Sequence, residues 1–230
     1  MLKLVIFDVD GTLIDSQASI LAAMTGAYRA RGLPCPSREA VLSIVGLSLP
    51  QAMARLSPEL PAAEHHALAD AYKSTYRSQR EAGTGEAEAL FYPGALATLT
   101  RLDTAGHLLG IATGKARRGL DHMLDTHELR HRFVVTQTAD DAPSKPAPGM
   151  VLNCLAATGV AAADAVVVGD TEFDMEMARA AGARAIGVAW GYHERARLNR
   201  GGAETVIDRF AELDAALAAL WAGPGGGSIA

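Results

Sequence analysis

The chain has 230 residues, 49% of them apolar, with 21 lysines and arginines against 26 aspartates and glutamates and a formal net charge of −5. That composition supports a packed core, and a mildly acidic chain with no basic block has no electrostatic footprint for nucleic acid. Cys35 and Cys154 are too few for a disulfide framework or a cysteine metal cluster. The apolar stretch at the N-terminus is too short for a secretion signal, and no run reaches the 18 or so apolar residues of a membrane span. The expectation is a protein of a reducing, cytoplasmic setting with neither nucleic acid nor membrane as partner.

In chain order, Leu2-Lys3-Leu4-Val5-Ile6-Phe7 is a short apolar run that stops at Asp8-Val9-Asp10-Gly11-Thr12. It reads as a buried parallel strand followed by a polar turn. The next such run, Leu108–Ala112, is far away: 105 positions separate Asp8 from Thr113. Between them, residues 15–92 contain no convincing strand. Ile20, Ala23, Met24, Ala27 and Tyr28 follow a helical stripe, as do Leu68, Ala71, Tyr72, Thr75 and Tyr76. Five prolines, from Pro34 to Pro61, divide that section into short helices. Taking residues 15–92 as an insert leaves close to the roughly 30 residues of an ordinary βαβ unit.

Further strands are predicted at Phe133–Val135, Ala165–Val168 and Ala185–Val188, with helices at about 116–126, 147–158 and 172–182. Alternating strands and helices imply a parallel α/β sheet. The predicted organisation is an α/β core of residues 1–14 and 93–222, a small all-helical domain of residues 15–92, and a glycine-rich tail, 223–230, expected to be disordered.

In parallel sheets, ligands bind beyond the carboxyl ends of the strands. Here those ends carry Asp8 and Asp10, then Thr113-Gly114-Lys115, then Ser144-Lys145-Pro146, then Gly169-Asp170-Thr171-Glu172-Phe173-Asp174. Clustered carboxylates repel each other, and would repel a phosphate, unless a hard divalent cation such as magnesium sits among them. With it, one aspartate can attack phosphorus and a second can move protons, while a hydroxyl and a lysine hold the phosphoryl oxygens.

These motifs, Asp8-Val9-Asp10-Gly11-Thr12-Leu13, Thr113, Lys145 and Gly169 to Asp174, resemble in order the four motifs of the haloacid dehalogenase superfamily. The helical insert after the first is similar to the cap of its phosphoglycolate-phosphatase-like branch. The resemblance implies a Rossmann-like parallel sheet with helices on both faces. It implies Asp8 as nucleophile and magnesium ligand, and Asp10 as general acid/base with its carbonyl on the metal. Asp170 becomes an acidic metal ligand, and Asp174 acts behind the metal, through bound water or by holding Lys145. Thr113, the Gly114 amide and Lys145 would hold the phosphoryl group. The superfamily's dehalogenases lack an acid where Asp10 stands, so a phosphatase acting on a small phosphorylated metabolite is favoured, with phosphoglycolate a candidate. A phosphomutase on a sugar phosphate and a non-catalytic binding protein on the same fold are the alternatives. Monomer and homodimer are both open.

Ile44–Leu49 is the candidate specificity loop. Arg55, Arg77 and Arg80 in the insert, and Arg117, Arg118 and His193 beside the motifs, are candidate anchors. Aromatic residues at 5% of the chain suggest no stacking platform for a base or a large ring, and hence a small anionic substrate. His127-Glu128-Leu129-Arg130-His131 spells a zinc-protease signature, but charges crowd it and a strand follows, so it reads as a helix end. Gly110–Ala116 falls short of a phosphate-binding P-loop, and Asp8-x-Asp10 fails as a calcium loop.

Overall fold

The structure, a computed structural model, describes residues 2–82 and 90–222. The tail at 223–230, a stretch of the insert, and the side chain of Arg80 lie outside the described residues. Six parallel strands, β1 (Leu4–Phe7), β2 (Leu108–Ala112), β3 (Val135–Gln137), β4 (Ala165–Gly169), β5 (Arg184–Val188) and β6 (Thr205–Ile207), form one sheet in the order β3-β2-β1-β4-β5-β6. β1 is fully buried because it lies mid-sheet with both faces covered, which its unbroken apolar run requires. Val5 and Phe7 point into one layer of core, with Leu99 of α5 (Ala95–Thr104), Leu120 of α6 (Arg117–Thr126) and Leu217 of α10 (Leu213–Ala222). Leu4 and Ile6 point into the other, with Cys154 of α7 (Gly149–Thr158), Met177 of α8 (Glu172–Ala180) and Leu198 of α9 (Arg195–Gly201).

The register positions the site. Phe7 is level with Ile111 on one side and Val168 on the other, so Asp8, Thr113 and Asp170 emerge together at one edge. β1 is where the chain order reverses, winding outward through β2 and β3 and then returning to β4. Such a switch point opens a crevice beyond the strand ends.

Between β1 and α5 the described residues form α1 (Gln17–Ala30), α2 (Arg38–Leu42), α3 (Leu49–Leu56) and α4 (Ala62–Glu81), with no strand among them. Their own cluster joins Ile20, Met24 and Tyr28 of α1 to Met53 of α3 and Leu68 of α4, and reaches Phe173 at the start of α8. The chain leaves and re-enters the sheet region side by side: the Asp15 amide donates to the Leu90 carbonyl (3.0 Å) and the Tyr92 amide to that of Leu13 (2.9 Å).

Two strands differ from expectation. The third lies at Val135–Gln137 and not Phe133–Val135: Phe133 is a core residue before the strand, Val134 is exposed, and the strand itself is half-buried at the sheet edge. The other edge strand, β6, was not foreseen; three residues with one buried carry too little periodicity to register.

Candidate active site

Asp8, Asp170 and Asp174 are each buried to within 1% of complete, and each offers a carboxylate oxygen within 4.8 Å of the others. Asp8 follows β1 directly, its amide bonded to the Val168 carbonyl at 3.0 Å. Asp170 follows β4 and is oriented by two donors, the Thr12 hydroxyl on Oδ1 and the Tyr192 amide on Oδ2, both at 2.8 Å. Asp174 sits three residues into α8, closing a capping box with Thr171 whose hydroxyl donates to Oδ2 at 2.6 Å. The close approach of Gly11 is obligatory here: at φ +83°, a Cβ on it would lie 2.3 Å from Asp170 Oδ2.

One ammonium faces this cluster. Lys145 Nζ lies 2.9 Å from Asp8 Oδ1 and 2.6 Å from Asp174 Oδ1, in complete burial. Three carboxylates against one ammonium leave two negative charges in excess, and burial makes that costly. Burial, opposed by Lys145 and reinforced by Asp174, pushes the Asp8 carboxyl up to about 6. Burial together with Asp174 and Asp8 holds Asp170 well above the usual range. Apart from the Lys145 ammonium, no group of the described residues satisfies an Asp8 oxygen. A compact oxygen set with surplus charge and orphaned lone pairs fits a hard divalent cation.

Asp10 points elsewhere. Its carboxylate is clasped by Lys115 Nζ, 2.9 Å from Oδ1 and 3.1 Å from Oδ2. Thr113 is buried at the end of β2, its hydroxyl accepting from the Lys115 amide at 3.2 Å. Lys145 joins Pro146 through a cis peptide.

The loop Ile44–Leu49 lies directly over these strand ends. Gly114 packs so closely beneath it that a Cβ would meet the Gly46 carbonyl at 2.5 Å. The Ser48 amide donates to Ser144 Oγ at 2.7 Å, and His193 bridges the Glu172 amide (3.0 Å) and the Ser43 carbonyl (3.1 Å). Under the loop is a cavity of about 220 Å³ whose floor includes Asp8, Asp10 and Thr113. Arg77 and Arg118 line it. Arg55 does not: its guanidinium stacks 4.9 Å above the Phe173 ring. Arg117 is likewise committed, to Thr136 and Asp141.

Residues 5–188 match the sequence profile of the haloacid dehalogenase-like hydrolases. The chain belongs to that family. A Dickeya dadantii protein named "Probable phosphatase IndB" is 34% identical over 223 residues, covering 96% of this chain and 95% of its own. The phosphoglycolate phosphatase of Xanthomonas campestris is 34% identical over 191 residues, 83% of this chain and 84% of its own. Among solved structures, a hydrolase from Pseudomonas syringae superposes with a TM-score of 0.83 at 26% identity, covering 94% of this chain and 98% of that one. Within the haloacid dehalogenase-like hydrolases, this chain is a phosphoric monoester hydrolase.

Two features of this family member were not read from its sequence. Lys115 stood in view at a strand end, but its clasp on Asp10 joins residues 105 positions apart and is visible only in three dimensions. Tyr72 and Tyr76 stack at 5.8 Å between centroids and line the cavity, a pair of rings that the low aromatic content gave no reason to expect there. The i, i+4 spacing already put them on one helix face. The zinc-protease pattern falls apart as expected: His127 caps the end of α6, Glu128 has φ +55°, and Arg130–Arg132 turn as a 3₁₀ helix. No described helix is long and apolar enough to cross a membrane.

Proposed function

We propose that the protein is a magnesium-dependent phosphatase of small phosphate monoesters that works through an aspartyl phosphate on Asp8. In this reading residues 1–14 and 93–222 are the catalytic core, and residues 15–92 are a cap that closes over it. The observation that carries it is the buried trio Asp8, Asp170 and Asp174 with its excess negative charge, Asp8 reaching the floor of the cavity under the Ile44–Leu49 loop. Magnesium, when bound there, supplies neutralisation of the carboxylates and of the phosphoryl oxygens. Asp8, Asp170 and the Asp10 carbonyl would hold it, with Asp174 close behind and bound to Lys145.

An Asp8 oxygen attacks phosphorus as the bond to the leaving oxygen breaks. Asp10 gives that oxygen its proton. Asp10 then takes a proton from water as the water oxygen attacks phosphorus, and the Asp8 carboxylate is released. Thr113, the Gly114 amide and Lys145 donate to the phosphoryl oxygens throughout. The Ile44–Leu49 loop keeps water out while the first bond breaks. Phosphoglycolate, the substrate in the name of several relatives, is the reference compound. The test is inorganic phosphate release from a panel of phosphate esters with and without magnesium, for the natural chain and Asp8→Asn. Magnesium-dependent release that vanishes in the variant supports the reading; release without magnesium, or undiminished in Asp8→Asn, contradicts it. Isomerised sugar phosphate with no free phosphate would point to a mutase instead.

A further inference from the structure

The cavity over Asp8 and Asp10 is walled by apolar groups to an extent that a two-carbon, doubly anionic ester cannot use. Ile20, Met24, Val45, Leu47 and Ala52 all line it, and each is at most 7% exposed to solvent. Tyr72 and Tyr76, stacked with an interplanar angle of 25°, form the wall contributed by α4. Of the cations in the lining, Lys73, Arg77 and Arg118 are exposed, and Lys115 is held at the floor by Asp10, its ammonium 5.4 Å from the centre of the Tyr76 ring, so the Met24–Ala52 side is left to apolar groups. Three links hold the loop down on the core, so this is the closed shape that a substrate would meet: Gly46 against Gly114, Ser48 on Ser144, and Ser43 on His193. At about 220 Å³ the space lies below the 300–1,000 Å³ typical of drug-sized sites, small for a nucleotide but with room beyond the phosphate for a body of ring size.

We propose that the preferred substrate is a phosphate monoester whose leaving alcohol carries a compact apolar, planar body, seated between the Met24–Ala52 wall and the Tyr72–Tyr76 pair. This rests on the phosphatase reading above and names its substrate class. An apolar wall discriminates by displacing water, and each methylene it accommodates is worth roughly 10- to 200-fold in specificity. A planar ring gains further from stacking on tyrosine. Phosphoglycolate would set its carboxylate against the Met24–Ala52 side, whose side chains offer it no donor.

The experiment compares kcat/KM for benzyl phosphate, ethyl phosphate and 2-phosphoglycolate with magnesium. All three are esters of primary alcohols, so differences in leaving-group reactivity are small. The expected result is benzyl phosphate ahead of both others by about tenfold or more. Benzyl phosphate equal to or slower than ethyl phosphate or 2-phosphoglycolate overturns the inference while leaving the phosphatase reading intact. Hydrolysis of none of the three overturns that reading and the inference with it. Ala52→Leu, which fills the wall, is expected to lower the benzyl-to-ethyl ratio of kcat/KM toward one. Tyr76→Ala, at a half-buried position on α4, provides the same comparison should Ala52→Leu not fold. A benzyl preference untouched by the folded variants contradicts the proposed seat.

Discussion

Lys115 Nζ grips both oxygens of Asp10, at 2.9 and 3.1 Å, in a pair that is nearly buried. The two residues sit at the ends of adjacent strands, so the clasp fixes the acid at the mouth of the carboxylate cluster without placing it inside. A charge-assisted bond of this kind contributes about 1.5–3 kcal/mol. Lys115→Met is therefore expected to lower kcat/KM for ethyl phosphate by about tenfold or more, with Lys115→Arg recovering part of the loss. Steady-state kinetics alongside thermal melts check this; an unchanged kcat/KM in a folded Lys115→Met protein would show that the clasp plays no part.

Lys145 is the counter-charge of the buried trio. Lys145→Ala strands Asp8 and Asp174 in the interior without a counter-charge, and losses of about 3–5 kcal/mol are usual when one member of a buried pair is removed. Urea unfolding in chelator is expected to show a loss of that order, together with loss of turnover. A variant as stable as the natural chain would mean that the carboxylates carry a proton instead of relying on Lys145.

The same surplus charge makes magnesium a stabilising ligand. Anything that binds only the folded state raises stability by about 2.7 kcal/mol at a hundredfold excess over its dissociation constant. Added magnesium is expected to raise the melting temperature of the natural chain, and Asp170→Asn to abolish the rise. An equal rise in both proteins would place the ion elsewhere.

His193 supplies a pH dependence. Its Nδ1 accepts from the Glu172 amide, so the ring is neutral with its proton on Nε2, facing the Ser43 carbonyl. Burial, aided by Arg197, lowers its pKa from 6.5 to about 4. The unfolded chain thus binds the extra proton in a range where the folded chain does not. The resulting stabilisation, on the order of 3 kcal/mol, is complete above about pH 6.5 and falls away as pH drops toward 4. Denaturation midpoints across that range are expected to fall less steeply in His193→Gln than in the natural chain; parallel curves would contradict the assignment.

What was legible in the sequence follows from how local each signal is. Buried central strands announce themselves as apolar runs, and β1, β2, β4 and β5 lie within two residues of where those runs put them. The edge strands do not: Val135-Thr136-Gln137 is half-wet and polar at one end, so the neighbouring Phe133 drew the prediction toward the core. Asp8, Asp170 and Asp174 were visible because each follows a strand or opens a helix, and parallel strands bring such positions together. The grip of Lys115, the Tyr72–Tyr76 wall and the His193 bridge depend on how the helical segment rests on the sheet, and no stretch of sequence encodes that alone.

The most direct measurement is acid quench of the enzyme during turnover of 4-nitrophenyl phosphate, whose leaving group needs no proton from Asp10, followed by peptide mass analysis, using Asp10→Asn to slow release of the bound phosphoryl group. The account predicts one phosphoryl group on the peptide containing Asp8, dependent on magnesium, and none in Asp8→Asn. A phosphoryl group on another residue, or turnover by the Asp8→Asn chain, would contradict it.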